Sequence, residues 1–199
     1  MGGNGKRIPE ILSMDEQRAV LTQINPKTIA GLRNLAIVSL LLNAGLRAGE
    51  VVGLRWANLD PDSGRLKVRG KGDRERIIWL GKADVALLLA WRAAQPPSSK
   101  QPPSSSLVFT SLADGNRPVC GRWLRSFINR IAARSGIFKP VHCHTLRHTF
   151  ATDLYRKTKN LRLVQKALGH ASINTTTIYT HIIDEELEMA MKGLRGDEI

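Results

Sequence analysis

The chain has 199 residues, with 30 Lys and Arg against 17 Asp and Glu and a formal net charge of +13. That length suits one domain with its own core, and no run, the best being residues 35–42, approaches the roughly 20 apolar residues of a membrane span. Two cysteines, Cys120 and Cys143, are too few for a disulfide framework. Together with His142, His144 and His148 they lack the C-x-x-C spacing of a zinc site, so neither a metal nor another cofactor is expected. The opening MGGNGKR lacks the apolar stretch of a signal peptide, and a cytoplasmic protein without a membrane is expected. The charge is unevenly spread. Residues 184–199 hold six acids and two bases, while the preceding 183 residues hold 28 bases and 11 acids. A basic body with a short acidic tail points to a polyanionic partner, nucleic acid first.

Ser13 and Glu16 form a capping box, which predicts a helix to about Ile24. The apolar density of residues 27–43 predicts a buried helix, closed by Gly45. A short helix follows with Arg47, Glu50, Val51 and Leu54. Residues 56–80 change character. Turns at residues 60–64 and 71–74 flank short strands at 66–68 and 76–80, which read as a small antiparallel sheet. Residues 83–94 are helical again. The Pro- and Ser-rich stretch 96–106 is a loop rather than a domain boundary. In residues 119–135, Trp123, Phe127 and Ile131 recur every four residues, with Arg122, Arg125, Arg130 and Arg134 on the remaining faces. Helices are predicted at 144–157, 161–168, around 174–181, and at 184–194. The fold class is therefore α+β and mainly α-helical.

The sharpest local pattern is His144-Thr-Leu-Arg147-His148. Positions i, i+3 and i+4 of a helix share a face. Near a helix start they meet free N–H groups and the positive dipole end, which favour a phosphate. Arg offers a planar fork to two phosphate oxygens, and His moves a proton near neutral pH. Leu168-Gly-His170 is followed nine residues later by Tyr179. At about 100° per residue a continuous helix would put His170 and Tyr179 on opposite faces, but Gly169 allows a break. The other tyrosine, Tyr155, lies about 12 Å along the same helix from Arg147, so Tyr179 is the better nucleophile. Gly45-Leu-Arg47-Ala-Gly-Glu50 opens a short helix, and Lys71 sits in the Gly70-Lys-Gly72 turn.

Taken in order, G-L-R-x-x-E, K-G in a hairpin, H-x-L-R-H, L-G-H and a tyrosine nine residues on resemble the tyrosine recombinase and phage integrase family, over almost the whole chain. The resemblance implies a site-specific recombinase or integrase acting on double-stranded DNA, as mobile elements do. Arg47 and Arg147 would clamp the scissile phosphate. Tyr179 would form a 3′-phosphotyrosyl link, and Lys71 would protonate the leaving 5′ oxygen. His144 would assist the proton transfer from the tyrosine, and His170 would hydrogen-bond the phosphate. Glu50 and His148 would support these groups, Glu50 by bracing Arg47, and Arg122 and Arg125 would bind DNA. Four basic groups around one phosphate suit a phenol whose pKa is about 10, and no metal is called for. A topoisomerase-like nicking and resealing activity of type IB, or a DNA-binding domain inactive without a missing half, are the alternatives. Residues 1–12 read as an extension and 13–199 as the catalytic domain, without the separate N-terminal core-binding domain of most relatives. By the same resemblance the apolar stripe Leu187, Ala190, Met191 and Leu194 makes 184–194 a helix that docks between protomers of a homotetramer on DNA.

Overall fold

In the computed structural model the described residues are 9–70, 75–96 and 106–169, with Met191. The chain divides into two units, Glu10–Gly169 and the two terminal stretches, and the elements below belong to the first. The segment predicted as a helix at 174–181 lies outside the described residues, as does that at 184–194 apart from Met191, and so do Lys71, His170 and Tyr179.

Helix α1 (Met14–Thr22) opens on the predicted capping box. The Ser13 amide donates to the Glu16 carboxylate at 2.7 Å, and the Glu16 amide donates to Ser13 Oγ at 3.2 Å. Helix α2 (Ile29–Asn43) starts two residues later than its apolar pattern suggests. The Lys27 amide is held in a turn by Asn25 Oδ1, and Thr28 caps the helix by accepting from the Gly31 amide at 3.0 Å. Ile37, Val38 and Leu41 of α2 are fully buried. Gly45 then reverses the chain at φ +59°, and Arg47 becomes the N-cap of α3 (Ala48–Val52).

A 3-10 turn (Trp56–Asn58) leads into a meander of three antiparallel strands, β1 (Leu59–Asp60), β2 (Arg65–Arg69) and β3 (Glu75–Trp79). The register pairs Leu66 with Ile78 and Val68 with Arg76. Leu66, Val68 and Ile78 are buried, so Arg76 shares the inward face with them. Strand β1 was not predicted, because two residues cannot display an alternation. After α4 (Lys82–Ala94), the segment from Ser106 is tied down by isolated bridges between Arg55 and Leu107 and between Thr110 and Pro118. The Val119 amide donates to the Phe109 carbonyl, so α5 (Gly121–Arg134) begins only at Gly121 rather than at 119. Helix α6 (Cys143–Thr158) ends on Lys159 in the left-handed conformation. Helix α7 (Leu161–Leu168) is capped by Asn160 and stopped by Gly169 at φ +64°.

The core lies around α2, which packs against α4 and α6. Trp91, fully buried, donates its indole N–H to the Val108 carbonyl at 2.7 Å. Arg33 of α2 donates to the Thr110 carbonyl at 3.0 Å and stacks 4.4 Å over the Trp123 ring. Burial lowers its pKa to about 10. These contacts pin α5 and the segment before it to the central helix. They leave α3, β3, the first turns of α6 and the end of α7 gathered around one carboxylate.

Candidate active site

That carboxylate is Glu50, a 7 % exposed residue. It is the third residue of α3, so a helix one and a half turns long delivers it to the interior. Its Oε2 accepts the Arg47 amide at 2.8 Å, and its Oε1 accepts Arg47 Nη1 at 3.0 Å. Arg76 closes on it with a two-pronged fork, Nη1 to Oε1 at 2.7 Å and Nη2 to Oε2 at 2.8 Å. Arg147 Nη1 stands 3.9 Å from Oε2. Burial alone pushes the Glu50 carboxyl up. The hydrogen bonds from Arg76 and from the Arg47 amide and guanidinium outweigh it and hold the group below the usual carboxylate range. One anion thus serves three cations, and the cluster keeps an excess of positive charge.

Arg147 projects from the second turn of α6 and is 4 % exposed. It donates to the Gly45 carbonyl and, through Nη2, to the Leu168 carbonyl at 2.7 Å. Arg76 Nε donates to the neighbouring Ala167 carbonyl at 2.9 Å. The last carbonyls of a helix lack donors within it and carry the negative end of its dipole. Two guanidiniums therefore satisfy the end of α7. Arg47 stays more open, its side chain 35 % exposed.

His144 and His148 lie one turn apart on α6, with ring centroids 6.4 Å apart. His144 is exposed and His148 half-buried. Burial, then the nearby charges of His144 and Arg147, lower the His148 pKa, so it is neutral at physiological pH. Arg122 and Arg125 are exposed on α5. Tyr155 is 7 % exposed, two turns beyond Arg147 on α6.

Of the residues singled out from the sequence, the structure unites Arg47, Glu50 and Arg147, including the Glu50–Arg47 contact. It sets His144 and His148 on the helix that carries Arg147. Gly169, which immediately precedes His170, lies in the cluster, because a Cβ there would be 2.8 Å from Arg76 Cδ. Sequence reasoning overlooked Arg76. The signal was present in the alternation of β3, where Arg76 falls in phase with Ile78 and Leu80, both buried. An inward-facing charge calls for a buried partner.

The profile of the phage integrase family matches residues 10–186, a span that holds all five motifs. This chain belongs to the phage integrase family. Among curated family members, it is 40 % identical over 177 residues to the tyrosine recombinase XerC of Xylella fastidiosa (strain M23), covering 89 % of this chain and 58 % of that protein. It is 37 % identical over 186 residues to the tyrosine recombinase XerD of Listeria monocytogenes serotype 4b (strain F2365), covering 93 % and 62 %. The chain therefore spans about three-fifths of the length of these relatives. Among solved structures of the family, the XerA recombinase superposes with a TM-score of 0.78 at 31 % identity, over 97 % of this chain and 68 % of that one. The XerH recombinase in a post-cleavage complex with its palindromic difH substrate gives 0.80 at 29 % identity, over 97 % and 55 %. The α+β fold is the tyrosine recombinase catalytic fold.

Proposed function

We propose that this phage integrase family chain cuts and rejoins double-stranded DNA at a specific site through a 3′-phosphotyrosyl intermediate, on DNA in the cytoplasm. The observation that carries the reading is the buried Glu50 carboxylate holding Arg47 and Arg147, residues 100 positions apart, in one cluster with an excess of positive charge. Such an arrangement suits a phosphate whose charge grows in a pentacoordinate transition state. Tyr179 attacks phosphorus, its O–P bond forming as the bond to the 5′ oxygen breaks. His144 assists the departure of the phenolic proton, Lys71 gives a proton to the leaving 5′ oxygen, and His170 hydrogen-bonds the phosphate. His148, neutral and half-buried, supports the arginine beside it. The exchange conserves a phosphoester bond, so no nucleotide is consumed. Arg122 and Arg125 bind the DNA backbone.

The assembly we infer is a homotetramer on DNA. Its support is an apolar groove of about 390 Å³ lined by Ile77, Trp79, Phe150, Leu154 and Leu163, with Lys166 among them. A groove of that chemistry suits the acidic, apolar-striped segment 184–194 of a neighbouring copy.

The test is to incubate the chain with fragmented DNA from its source, denature, and recover the DNA that stays attached. Tyr179→Phe and Arg147→Lys serve as paired controls. Adducts from the parent, absent with Tyr179→Phe and sharing one sequence, are expected. Binding without any adduct contradicts the catalytic reading, and adducts without a shared sequence favour nicking and resealing.

A further inference from the structure

The guanidinium of Arg76 uses all three of its nitrogens inside the protein. Nη1 and Nη2 hold both oxygens of Glu50, and Nε holds the Ala167 carbonyl. The side chain is 9 % exposed, and its stem fills the space a Cβ at Gly169 would take. Nothing in this geometry aims Arg76 at a phosphate. It ties three elements together instead. Glu50 belongs to α3, whose N-cap is Arg47. Ala167 lies in the last turn of α7, from which the chain runs through Gly169 to His170. Arg76 itself sits on β3, five residues after Lys71. We propose that Arg76 is a positioning residue for strand cleavage, a side chain that keys α3, β3 and the end of α7 to one another. The proposal rests on the functional reading above.

The chemistry of the link explains why arginine stands here. A lysine keeps the charge, but its ammonium is a compact donor on a flexible stem. It cannot span two carboxylate oxygens and a carbonyl about one plane. With the fork gone, Glu50 is left to Arg47 and Arg147 alone, and the carbonyl end of α7 loses one of its two cations. Each shift is small, yet a misplacement of about 1 Å at a reacting centre costs on the order of 10²-fold in rate.

The experiment compares the parent with Arg76→Lys on a nicked duplex that carries the site recovered as above. Covalent complex formation is followed in a single turnover across a range of DNA concentrations. Arg76→Lys is expected to slow the rate at saturating DNA by about 10- to 100-fold, while the half-saturating concentration stays within about 3-fold. Hydrogen exchange without DNA is the second readout. Exchange of the amides at 167–169 is expected to quicken at least about 10-fold, with that of Trp91 unchanged. A saturating rate within about 3-fold of the parent, a rate loss matched by lost binding, or unaltered exchange at 167–169 overturns the proposal. If the parent itself forms no adduct, the functional reading fails, and the exchange rates alone decide whether Arg76 holds the end of α7. Should Arg76→Lys not fold, Arg76→Gln, which keeps most of the stem and loses the fork, is held to the same two readouts.

Discussion

Glu50 is the residue on which the rest of the site turns. Removing one partner from a buried charge cluster leaves the others uncompensated, and Glu50→Gln leaves three guanidiniums without their anion. A loss of about 3 kcal/mol is expected in urea unfolding. Its sign with pH follows from the lowered pKa. The Glu50 carboxylate contributes stability above its ordinary value near 4.5, and that stability is lost as pH falls through the lower folded value. Glu50→Gln is therefore expected to flatten acid unfolding. His148 has the same pH slope for the opposite chemical reason. Its folded pKa lies below the ordinary 6.5, so the unfolded chain binds the extra proton first. Stability is full above about pH 6.5 and declines as pH falls from there towards the folded value, and His148→Gln removes that decline in thermal melts between about pH 5.5 and 8. Much at this scale was legible. Arg47, Glu50 and Arg147 stand out in their motifs, but helical spacing relates only neighbours. Their meeting across 100 residues came from the family resemblance and not from periodicity. Arg76 went unread because a strand with one inward arginine looks like ordinary alternation until its partner is known.

At the scale of elements, two glycines four residues apart do different work. At Gly45 the backbone is left-handed and a Cβ would lie 2.3 Å from the Phe150 ring of α6. Gly45→Ala is expected to cost about 2–4 kcal/mol, part backbone strain and part repacking, measured by denaturant unfolding. Gly49, inside α3 with open space around its Cα, provides the contrast. Gly49→Ala is expected to stabilise by about 0.5–1 kcal/mol, and a loss there would mean that α3 is not a helix. The elements themselves were mostly visible in advance. The capping box of α1, the glycine stops after α2 and α7 and the sheet between residues 56 and 80 follow from local chemistry. What escaped were features set by distant contacts. Strand β1 exists because β2 pairs with it. Helix α5 starts late because the Val119 amide is committed to Phe109.

At the scale of the molecule, charge and cluster work over different ranges. On the proposed function, the 28 bases that precede residue 184 would make a field that attracts DNA of any sequence, whereas the Glu50 cluster would act only on a phosphate seated within it. Affinity is expected to fall steeply with salt, and Arg122→Ala or Arg125→Ala to lower the slope of log K against log salt by about one for each phosphate contact removed. Sequence preference should be unaffected by either change. No helix among the described residues is long and apolar enough to cross a membrane.

The proposed mechanism joins one particular tyrosine to DNA, and digesting the covalent complex with protease and nuclease and locating the nucleotide by mass spectrometry tests it. The chain has only two tyrosines. Tyr155 is buried on α6, so the expected result is a nucleotide remnant on Tyr179 alone. A remnant on Tyr155, on a serine or a histidine, or its persistence in Tyr179→Phe, contradicts the mechanism.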